Sequence, residues 1–581
     1  MSTEIADRRA TGTAQTVNGR AVRRFTADVS AVGEPALWGF GGALALGIIL
    51  IAGFLGLIFV NGVTTFWPKP IAVVETVDGR MLAGVPTRTG VYRPGERIVE
   101  AMTPEQRAFL EENQGFSERT LFRTANFDLT GDDFTWVSDY QKTEVTFPAD
   151  FFYFERREWG PFVGRIAGIV IDDVAIPAEA VDMALLRREQ REARGRFEQI
   201  RRIERRDIGA VNYRIEQERL SRRRAALRHG ADSPQAEAAA AAAATRIAQL
   251  EEEFRSHQDR IAAIRAIDRE NRIVLETIDG RQKETELSQI VRFFAANDLS
   301  FTDKAGIYVA RWHEFLTTEP REANMEGGVL PAIFGTVMMT MIMVVVVAPF
   351  GVITALYLRE YAKQGRIVSA VRISVNNLAG VPSIVYGVFG LGFFAYTMGV
   401  TIDQLFFPER LPSPTFGTGG ILWASLTLAL LTVPVVIVAS EEALAAVPRS
   451  MREGSLACGA SKWQTIRYVV LPKALPGIMT GLILAMARGA GEVAPLMLVG
   501  VVKLAPALPF DQFFPFIHLE RSFMHLGFHI FDVGFQSRNS EAGKPMVFVT
   551  TLLLLTLIVA MNSTAIIIRN RLKRRYATGH F

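Results

Sequence analysis

Two ionisable residues, Arg488 and Glu492, lie in an otherwise apolar segment of this sequence. Their spacing of four residues places both side chains on one face of a helix. Charged groups at membrane depth are costly unless they are paired or face a polar path. The planar donors of arginine suit an oxyanion, and a neighbouring carboxylate can orient them and keep the anion from binding too tightly. We therefore predict an anion pathway at this pair. The alternative is an ion pair that only positions the helix.

The connection that precedes this segment is too polar to cross a membrane but has the pattern of short helices. It contains Glu453 and Gly459 and ends with Leu471 and Pro472. Glycine permits a turn, and the residue before a proline disfavours helical backbone. We predict a protruding knob of two short helices, the second of which stops before Pro472. We expect Cys458 to be a small buried residue of this knob.

Six long apolar segments could hold these residues in a membrane, since crossing roughly 30 Å of hydrocarbon takes about 20 residues. A spanning backbone must satisfy its own hydrogen bonds, so we predict a helix in each segment. In the third segment, Gly380, Pro382 and Gly387 indicate a bend or a close-packing surface, and their role is either gating or helix packing. The segments are residues 37–60, 330–358, 380–400, 420–440, 476–499 and 546–568.

Lysine and arginine residues in the short connections indicate how the segments are oriented. The N-terminal tail (residues 1–36), the connection after the second segment and the C-terminal tail (residues 569–581) are all basic. We therefore predict that both termini are cytoplasmic. Residues 37–60 are predicted to be a retained anchor, because their apolar stretch is too long for a cleaved signal peptide. Residues 61–328 then lie outside, and residues 329–568 form a core of five spans with the polar connection at 441–475.

The outer residues 61–328 have the pattern of an α+β domain. Turn signals such as Asp78-Gly79 separate β-rich runs between residues 71 and 173. Residues 180–271 are rich in Arg, Glu, Gln and Ala with helical spacing and a break near Pro234, which predicts a long antiparallel helical hairpin. Its first arm, residues 187–228, has 15 Arg against 7 acidic residues. That arm is either a solvated face or a surface for an anionic partner or lipid.

The composition and motifs of the chain argue against several other classes of function. The chain of 581 residues has 64 Lys and Arg against 60 Asp and Glu, and a net charge of +4 does not indicate a nucleic-acid partner. One cysteine excludes an intrachain disulfide framework. His525 and His529 have the spacing of metal ligands but no convincing third ligand, so we predict no metal and no cofactor. No phosphate-binding loop of the Gly-x-x-x-x-Gly-Lys-Ser/Thr type occurs, so we predict no catalytic residues and no ATP hydrolysis by this chain.

The polar connection resembles the cytoplasmic coupling loop of ABC-importer permeases. Glu453, Gly459, Leu471 and Pro472 match positions of that motif, while Gly454 replaces one of its alanines. Further stretches make the core similar to the phosphate-specific permease subunits called the PstA family. These stretches are residues 358–362, 378–387, 441–448 and 487–496. The expected fold class is therefore an all-α polytopic membrane protein with six transmembrane helices of ABC-importer permease type and a large extracytoplasmic α+β insertion.

The resemblance implies a permease that imports inorganic phosphate across a bacterial inner membrane, with Arg488 and Glu492 in the translocation pathway. It implies as partners ATP-binding cassette ATPase subunits, a second permease subunit, a periplasmic phosphate-binding protein and the lipid bilayer. The outer insertion is outside the usual family pattern, so no role transfers to it. Two alternatives stay open: a permease for another tetrahedral oxyanion, and a membrane-anchored scaffold or signalling subunit that uses the outer hairpin.

Overall fold

A computed structural model describes residues 35–505, 507–537 and 539–577, and the backbone of residues 16–17 and 20–21. The chain divides into two compact units, Met1–Val60 and Asn61–Phe581. The first unit contains the two-residue strands Thr16–Val17 and Arg20–Ala21 and most of one apolar helix. Most of the predicted N-terminal tail, residues 1–36, lies outside the described residues, as do residues 578–581 of the predicted basic C-terminal tail.

Six helices in the described part of the chain are long and apolar enough to cross a membrane. Each of them overlaps one of the predicted segments, so the prediction of six apolar helices is confirmed. They are Trp38–Thr64, Leu330–Tyr361, Ser383–Phe406, Ile421–Ala445, Lys462–Gly491 and Ser540–Arg574.

The α-helices, in chain order, are α1 Pro35–Thr64, α2 Glu96–Glu100, α3 Pro104–Glu112, α4 Phe127–Thr130, α5 Met183–Arg202, α6 Gly209–His229, α7 Pro234–Glu270, α8 Phe301–Thr317, α9 Leu330–Leu356, α10 Arg366–Leu378, α11 Ser383–Phe389, α12 Val400–Phe406, α13 Ile421–Ala445, α14 Arg449–Ala457, α15 Lys462–Thr465, α16 Leu471–Gly491, α17 Leu496–Val499, α18 Leu526–Phe535 and α19 Ser540–Ala577. Four π-helical segments extend α5, α9, α11 and α15, namely Ile203–Ile208, Tyr357–Tyr361, Gly390–Gly399 and Ile466–Val470.

The fifth span corrects the predicted boundaries of residues 476–499. The helix starts earlier, at Lys462, and ends at Gly491. Glu492 already has extended backbone angles, φ −79° and ψ 129°. Glycine favours a helix end, and Pro495 disfavours helical backbone at the residue before it. The apolar character of the sequence continues past this break, which is why hydropathy alone placed the end too late.

The transmembrane core is organised around α13, which packs against α9 and α16. Small residues bring these helices close together. A Cβ atom on Gly351 of α9 would lie 2.5 Å from Val436 Cγ1, and one on Gly481 of α16 would lie 2.5 Å from Ala439 Cβ. Small residues at helix contacts permit this close approach of backbones in a membrane, where hydrophobic burial gives little driving force between helices.

Residues 61–328 contain two antiparallel sheets that share an apolar core. The strands are β1 Ala72–Thr76, β2 Met81–Tyr92, β3 Ser117–Arg123, β4 Phe134–Ser138, β5 Lys142–Thr146, β6 Phe152–Arg156, β7 Phe162–Ile171, β8 Val174–Pro177, β9 Arg272–Glu276, β10 Gln282–Glu286, β11 Ile290–Ala295, β12 Pro320–Arg321 and β13 Glu326–Gly327. The first sheet has the strand order β4-β3-β2-β1-β5, and the second has the order β10-β9-β7-β6-β11, with β8 paired to β7. β12 and β13 form a separate pair.

Two long helical arms are inserted between β8 and β9 of the second sheet. The first arm runs from α5 through a π-helical segment to α6, and the second arm is α7. Gly230, with φ +90°, follows the first arm, and the Ser233 hydroxyl accepts a hydrogen bond from the Ala236 N–H at the start of the second. Ion pairs between the arms show that they run antiparallel, because residues later in the first arm pair with residues earlier in the second. They are Glu204–Arg265, Arg214–Glu253 and Glu218–Arg246.

Candidate functional site

Arg488 lies in the last turn of α16, and Glu492 lies just beyond the end of that helix. Arg488 Nε and Glu492 Oε1 are 3.4 Å apart, and the two side chains are 38% and 23% exposed. The structure therefore brings the two predicted residues together, but across a helix end instead of along a helix face. A cation near a helix C-terminus is also stabilised by the unpaired carbonyl groups there. This position is compatible with an anion site and with the alternative of a positioning ion pair.

The donors of Arg488 are only partly used. Among the described residues, no hydrogen bond joins the terminal nitrogens Nη1 and Nη2 of Arg488 to another protein group. A guanidinium has a planar fork of donors that matches two oxygens of a tetrahedral oxyanion. Glu492 lies beside one edge of the guanidinium, at Nε, and the terminal nitrogens lie on the opposite edge.

Glycines hold the segment around this ion pair close to its neighbours. A Cβ atom on Gly489 would lie 2.5 Å from Met343 Sδ of α9. A Cβ atom on Gly387 of α11 would lie 2.7 Å from the Cα atom of Pro495. Of the two predictions for Gly387, the contact supports close packing, and it places α11 directly against the segment that follows Glu492.

The polar connection forms a knob, which we define as residues 449–470. Its first helix, α14, is followed by a turn in which Gly459 has φ +86°, a conformation that side chains disfavour. The second helix, α15, begins with a capping box between Ser461 and Gln464. Leu456 is 49% exposed and Trp463 is 55% exposed, so the knob presents apolar side chains to its surroundings. Exposed groups of this kind are typical of a docking surface.

Cys458 lies at the tip of the knob and is exposed, so the prediction of a buried cysteine is wrong. The residue caps the C-terminus of α14 next to the Gly459 turn. We expected burial because the side chain is small and apolar, but the residue lies at a turn and is exposed there.

Arg452 ties the knob to the membrane helices. Its Nη2 atom lies 3.0 Å from Glu360 Oε1 and donates a hydrogen bond of 2.7 Å to the Leu444 carbonyl, while Nη1 donates one of 2.7 Å to the Val447 carbonyl. Both charged side chains are largely buried, at 18% and 13% exposure. Removing one partner of such a pair leaves a buried charge uncompensated. Sequence reasoning did not identify this pair, because its members are 92 residues apart.

The knob continues into the fifth span without a stop, which corrects the prediction that its second helix ends before Pro472. α15, the π-helical segment and α16 form one apolar helix from Lys462 to Gly491. Pro472 is the second residue of α16. The wider π turn before it changes the hydrogen-bond pattern, so the missing N–H of proline does not end the helix. Leu471 and Pro472 therefore join the knob to the helix that carries Arg488.

The hairpin contacts two loops of the transmembrane core. Arg224 Nη2 lies 2.7 Å from Glu409 Oε1, and Glu409 is 8% exposed. Burial would raise the pKa of Glu409, but the hydrogen bonds from Arg224 outweigh it, and the pKa lies below its ordinary value. The Tyr213 ring stacks on Phe513 at 4.7 Å, and the Tyr213 hydroxyl donates to the Phe514 carbonyl at 3.2 Å. These loops follow the third and fifth spans.

His525 and His529 lie on the short helix α18 and its N-cap, and both are buried. Burial lowers the pKa of each to about 4, so both rings are neutral. In the described part of the chain, no cluster of three His, Cys, Asp or Glu side chains is arranged to hold a metal ion. His529 instead faces Asp532, which accepts a hydrogen bond of 2.9 Å from Asn324.

Comparison with protein families matches residues 347–574 to the family described as "Binding-protein-dependent transport system inner membrane component". The matched residues include the knob, Arg488 and Glu492, and exclude the outer region. The family model thus covers the part of the chain in which the site residues lie.

Curated relatives match a similar share of the chain. "Probable ABC transporter permease protein YqgH" of Bacillus subtilis is 37% identical over 204 residues, which are 34% of this chain and 62% of that protein. "Probable ABC transporter permease protein YqgI" of the same organism is 30% identical over 234 residues, 39% of this chain and 74% of that protein. "Phosphate transport system permease protein PstA 1" of Mycobacterium tuberculosis is 41% identical over 175 residues, 30% of this chain and 52% of that protein. The chain therefore spans between half and three quarters of the length of these relatives.

Proposed function

Because this chain belongs to the inner-membrane permease family of binding-protein-dependent ABC transport systems, we propose that it is the transmembrane permease subunit of an ATP-driven importer of inorganic phosphate. Membership of this family and six apolar helices make it a multi-pass inner-membrane protein. The identity of the transported ion and of the partner proteins is the part that we propose.

The observation that carries the proposal is the Arg488–Glu492 pair at the end of the helix that starts in the knob. A guanidinium whose terminal nitrogens make no hydrogen bond within the described residues suits a tetrahedral oxyanion, and the carboxylate would limit its affinity. The 41% identity to a relative named as a phosphate transport permease supports phosphate as that oxyanion. A permease for another oxyanion would need the same donors, so the substrate has to be tested directly.

We propose that the ATPase subunits transmit their conformational change to the membrane helices through the knob. Glu453 and Gly459 lie on α14 and the turn that follows, and Leu471 and Pro472 connect the knob to α16. From Lys462 to Arg488 this helix extends roughly 40 Å at 1.5 Å per residue. ATP-binding cassette subunits that move the knob would move Arg488 with it. The proposed mechanism is rigid-body alternating access around a site inside the membrane.

The proposed assembly contains two ATPase subunits, a second permease subunit and a periplasmic phosphate-binding protein. Both termini and the knob are placed in the cytoplasm, in accord with the basic connections, and residues 61–328 are placed on the periplasmic side. In this arrangement the binding protein delivers phosphate on the side of the membrane opposite to ATP hydrolysis.

The test is ATP-driven uptake of phosphate into vesicles that contain the full complex, with wild type compared with Arg488→Ala. Loss of one charged hydrogen-bond partner costs about 1.5–3 kcal/mol, so uptake should fall by about 10- to 100-fold. Arg366→Ala is the matched control, because Arg366 is exposed at the start of α10 and should leave uptake unchanged. Full uptake by Arg488→Ala would remove this residue from the pathway. Uptake of sulfate with no uptake of phosphate would assign the permease to another oxyanion.

A further inference from the structure

A cavity of about 400 Å³ lies where the outer sheets meet the ends of two membrane helices, and we call it the junction cavity. Its lining comes from the C-terminal end of α1 and the residues after it, the start of α19, helix α8, and strands β2, β3, β4, β6, β11, β12 and β13. A volume of this size falls within the roughly 300–1,000 Å³ of small-molecule sites. It is separate from Arg488 and the knob, neither of which lines it.

The inner wall of the junction cavity is built from arginine–carboxylate pairs. Arg123 lies 2.9 Å from Glu326, Arg311 lies 2.6 Å from Glu155, and Arg321 lies 2.5 Å from Glu314. In each pair both side chains are at most 22% exposed. Burial favours the uncharged forms, yet the partners outweigh it, so the pKa of Arg311 is raised and the pKa of Glu155 is lowered. In these three pairs each positive charge faces a negative one, so the inner wall has no net charge.

The rim of the junction cavity, in contrast, carries more positive than negative charges. Glu541 is shared by Arg88, at 3.1 Å, and Lys544, at 2.6 Å. Lys69 also lines the cavity and makes no ion pair within the described part of the chain. Over the whole lining, six bases stand against four carboxylates, which leaves a charge of +2. Low-dielectric walls around such a cavity strengthen its attraction for an anion.

Six aromatic side chains also line the junction cavity. They are Phe66, Trp67, Phe134, Tyr153, Phe294 and Phe548. A site for a bare inorganic ion needs no aromatic wall, whereas an anionic group carried on a larger organic molecule uses both kinds of surface. The ends of α1 and α19 also lie at the level of lipid headgroups if these helices span the bilayer, since the cavity is lined by Asn61 at one and by Pro545 at the other.

We propose that the junction cavity binds a phosphate group through its excess of guanidinium and ammonium donors. The two sources of such a group at this position are the headgroup of an anionic phospholipid and free phosphate. The guanidinium group of arginine and the ammonium group of lysine bind the phosphate oxygens of the headgroup and of free phosphate in the same way. The proposal does not depend on which ion the transmembrane core carries.

The test measures binding to the purified full-length chain in maltoside detergent by isothermal titration calorimetry. The probes are inorganic phosphate, dihexanoyl phosphatidylglycerol and, as a lipid with no net charge, dihexanoyl phosphatidylcholine. The variant Lys69→Ala/Lys544→Ala makes the lining neutral. Both side chains lie at the exposed rim, so the fold should be kept. The matched control, Arg80→Ala/Arg255→Ala, removes the same charge at exposed positions outside the cavity.

We expect wild type and the control variant to bind phosphatidylglycerol, phosphate or both, with a dissociation constant at least about tenfold lower than that of Lys69→Ala/Lys544→Ala. Lys69→Arg/Lys544→Arg should bind like wild type, because it keeps the charge. Binding of phosphatidylglycerol alone identifies a lipid headgroup as the source, and binding of phosphate alone identifies the free ion. Three results would overturn the proposal: no binding of either anion, equal affinity in the neutral-lining variant, or equal affinity for phosphatidylcholine and phosphatidylglycerol.

Discussion

Arg488 is held by two electrostatic features, the Glu492 carboxylate and the carbonyl end of α16. The spacing of four residues in the sequence predicted the first feature. The second depends on the helix ending at Gly491, which an apolar sequence does not reveal. Glu492 itself has extended backbone angles, and its N–H donates to the Gly489 carbonyl at 3.4 Å, so the residue caps the helix that carries Arg488.

The buried histidines His525 and His529 predict a loss of stability in acid. Burial lowers the pKa of both to about 4 in the folded chain, while unfolded histidine titrates near 6.5. Near His529, Asp532 opposes this shift and Lys503 adds to it. The unfolded chain therefore takes up protons first, so stability is full above about pH 6.5 and falls as the pH drops towards about 4. The loss should be roughly 2–3 kcal/mol for each histidine at the acid end of this window.

Thermal unfolding of the detergent-solubilised chain at about pH 7 and about pH 5 measures this loss. The variant His525→Leu/His529→Leu should lose less stability over that interval than wild type. His229→Leu is the control, since His229 is exposed at the turn of the hairpin and should keep the wild-type dependence. An equal pH dependence in wild type and the double variant would show that other groups are responsible.

At the scale of elements, one helix joins the knob to α16, we propose that it transmits motion of the knob, and Gly459 is the position at which to test this. Gly459→Trp places a large side chain at the exposed turn and should strain the φ of +86° by about 1–2 kcal/mol. Nothing lies within 4 Å of a Cβ atom there, so the six spans should stay folded. We expect ATP hydrolysis to continue while phosphate uptake falls, measured side by side in the reconstituted complex.

Gly454→Ala is the matched control for that experiment. Gly454 is helical and exposed, and a Cβ atom there meets nothing within 4 Å. Alanine stabilises a helix relative to glycine, so uptake and hydrolysis should both remain. If Gly459→Trp keeps the wild-type ratio of phosphate imported to ATP hydrolysed, the knob does not transmit the motion.

The hairpin is the second element whose contacts predict a functional effect. Tyr213 and Arg224 of α6 contact loops of the transmembrane core. In Tyr213→Ala/Arg224→Ala these loops lose their outer support, and we expect uptake to fall by about two- to fivefold at normal membrane levels. Arg219→Ala, an exposed change on the same helix, should have no effect. Normal uptake even after replacement of residues 187–265 by a short linker would assign the hairpin to assembly or regulation.

At the scale of the whole molecule, the sequence predicted the elements that depend on local pattern. The six apolar helices followed from runs of residues, and the turn at Asp78-Gly79 followed from its residue types. The features that depend on distant contacts could not be predicted. The Arg452–Glu360 pair joins positions far apart in the chain, and the junction cavity draws its lining from several separate elements.

The orientation of the knob is the central claim, and Cys458 offers a direct measurement because it is the single cysteine of the chain and is exposed at the knob. A membrane-impermeant maleimide is added to intact cells, to inside-out vesicles, and to inside-out vesicles that contain the assembled ATPase subunits. The account predicts no labelling of Cys458 in intact cells, labelling in inside-out vesicles, and protection when the ATPase subunits are bound. Labelling from the outside, or equal labelling with and without those subunits, would contradict it.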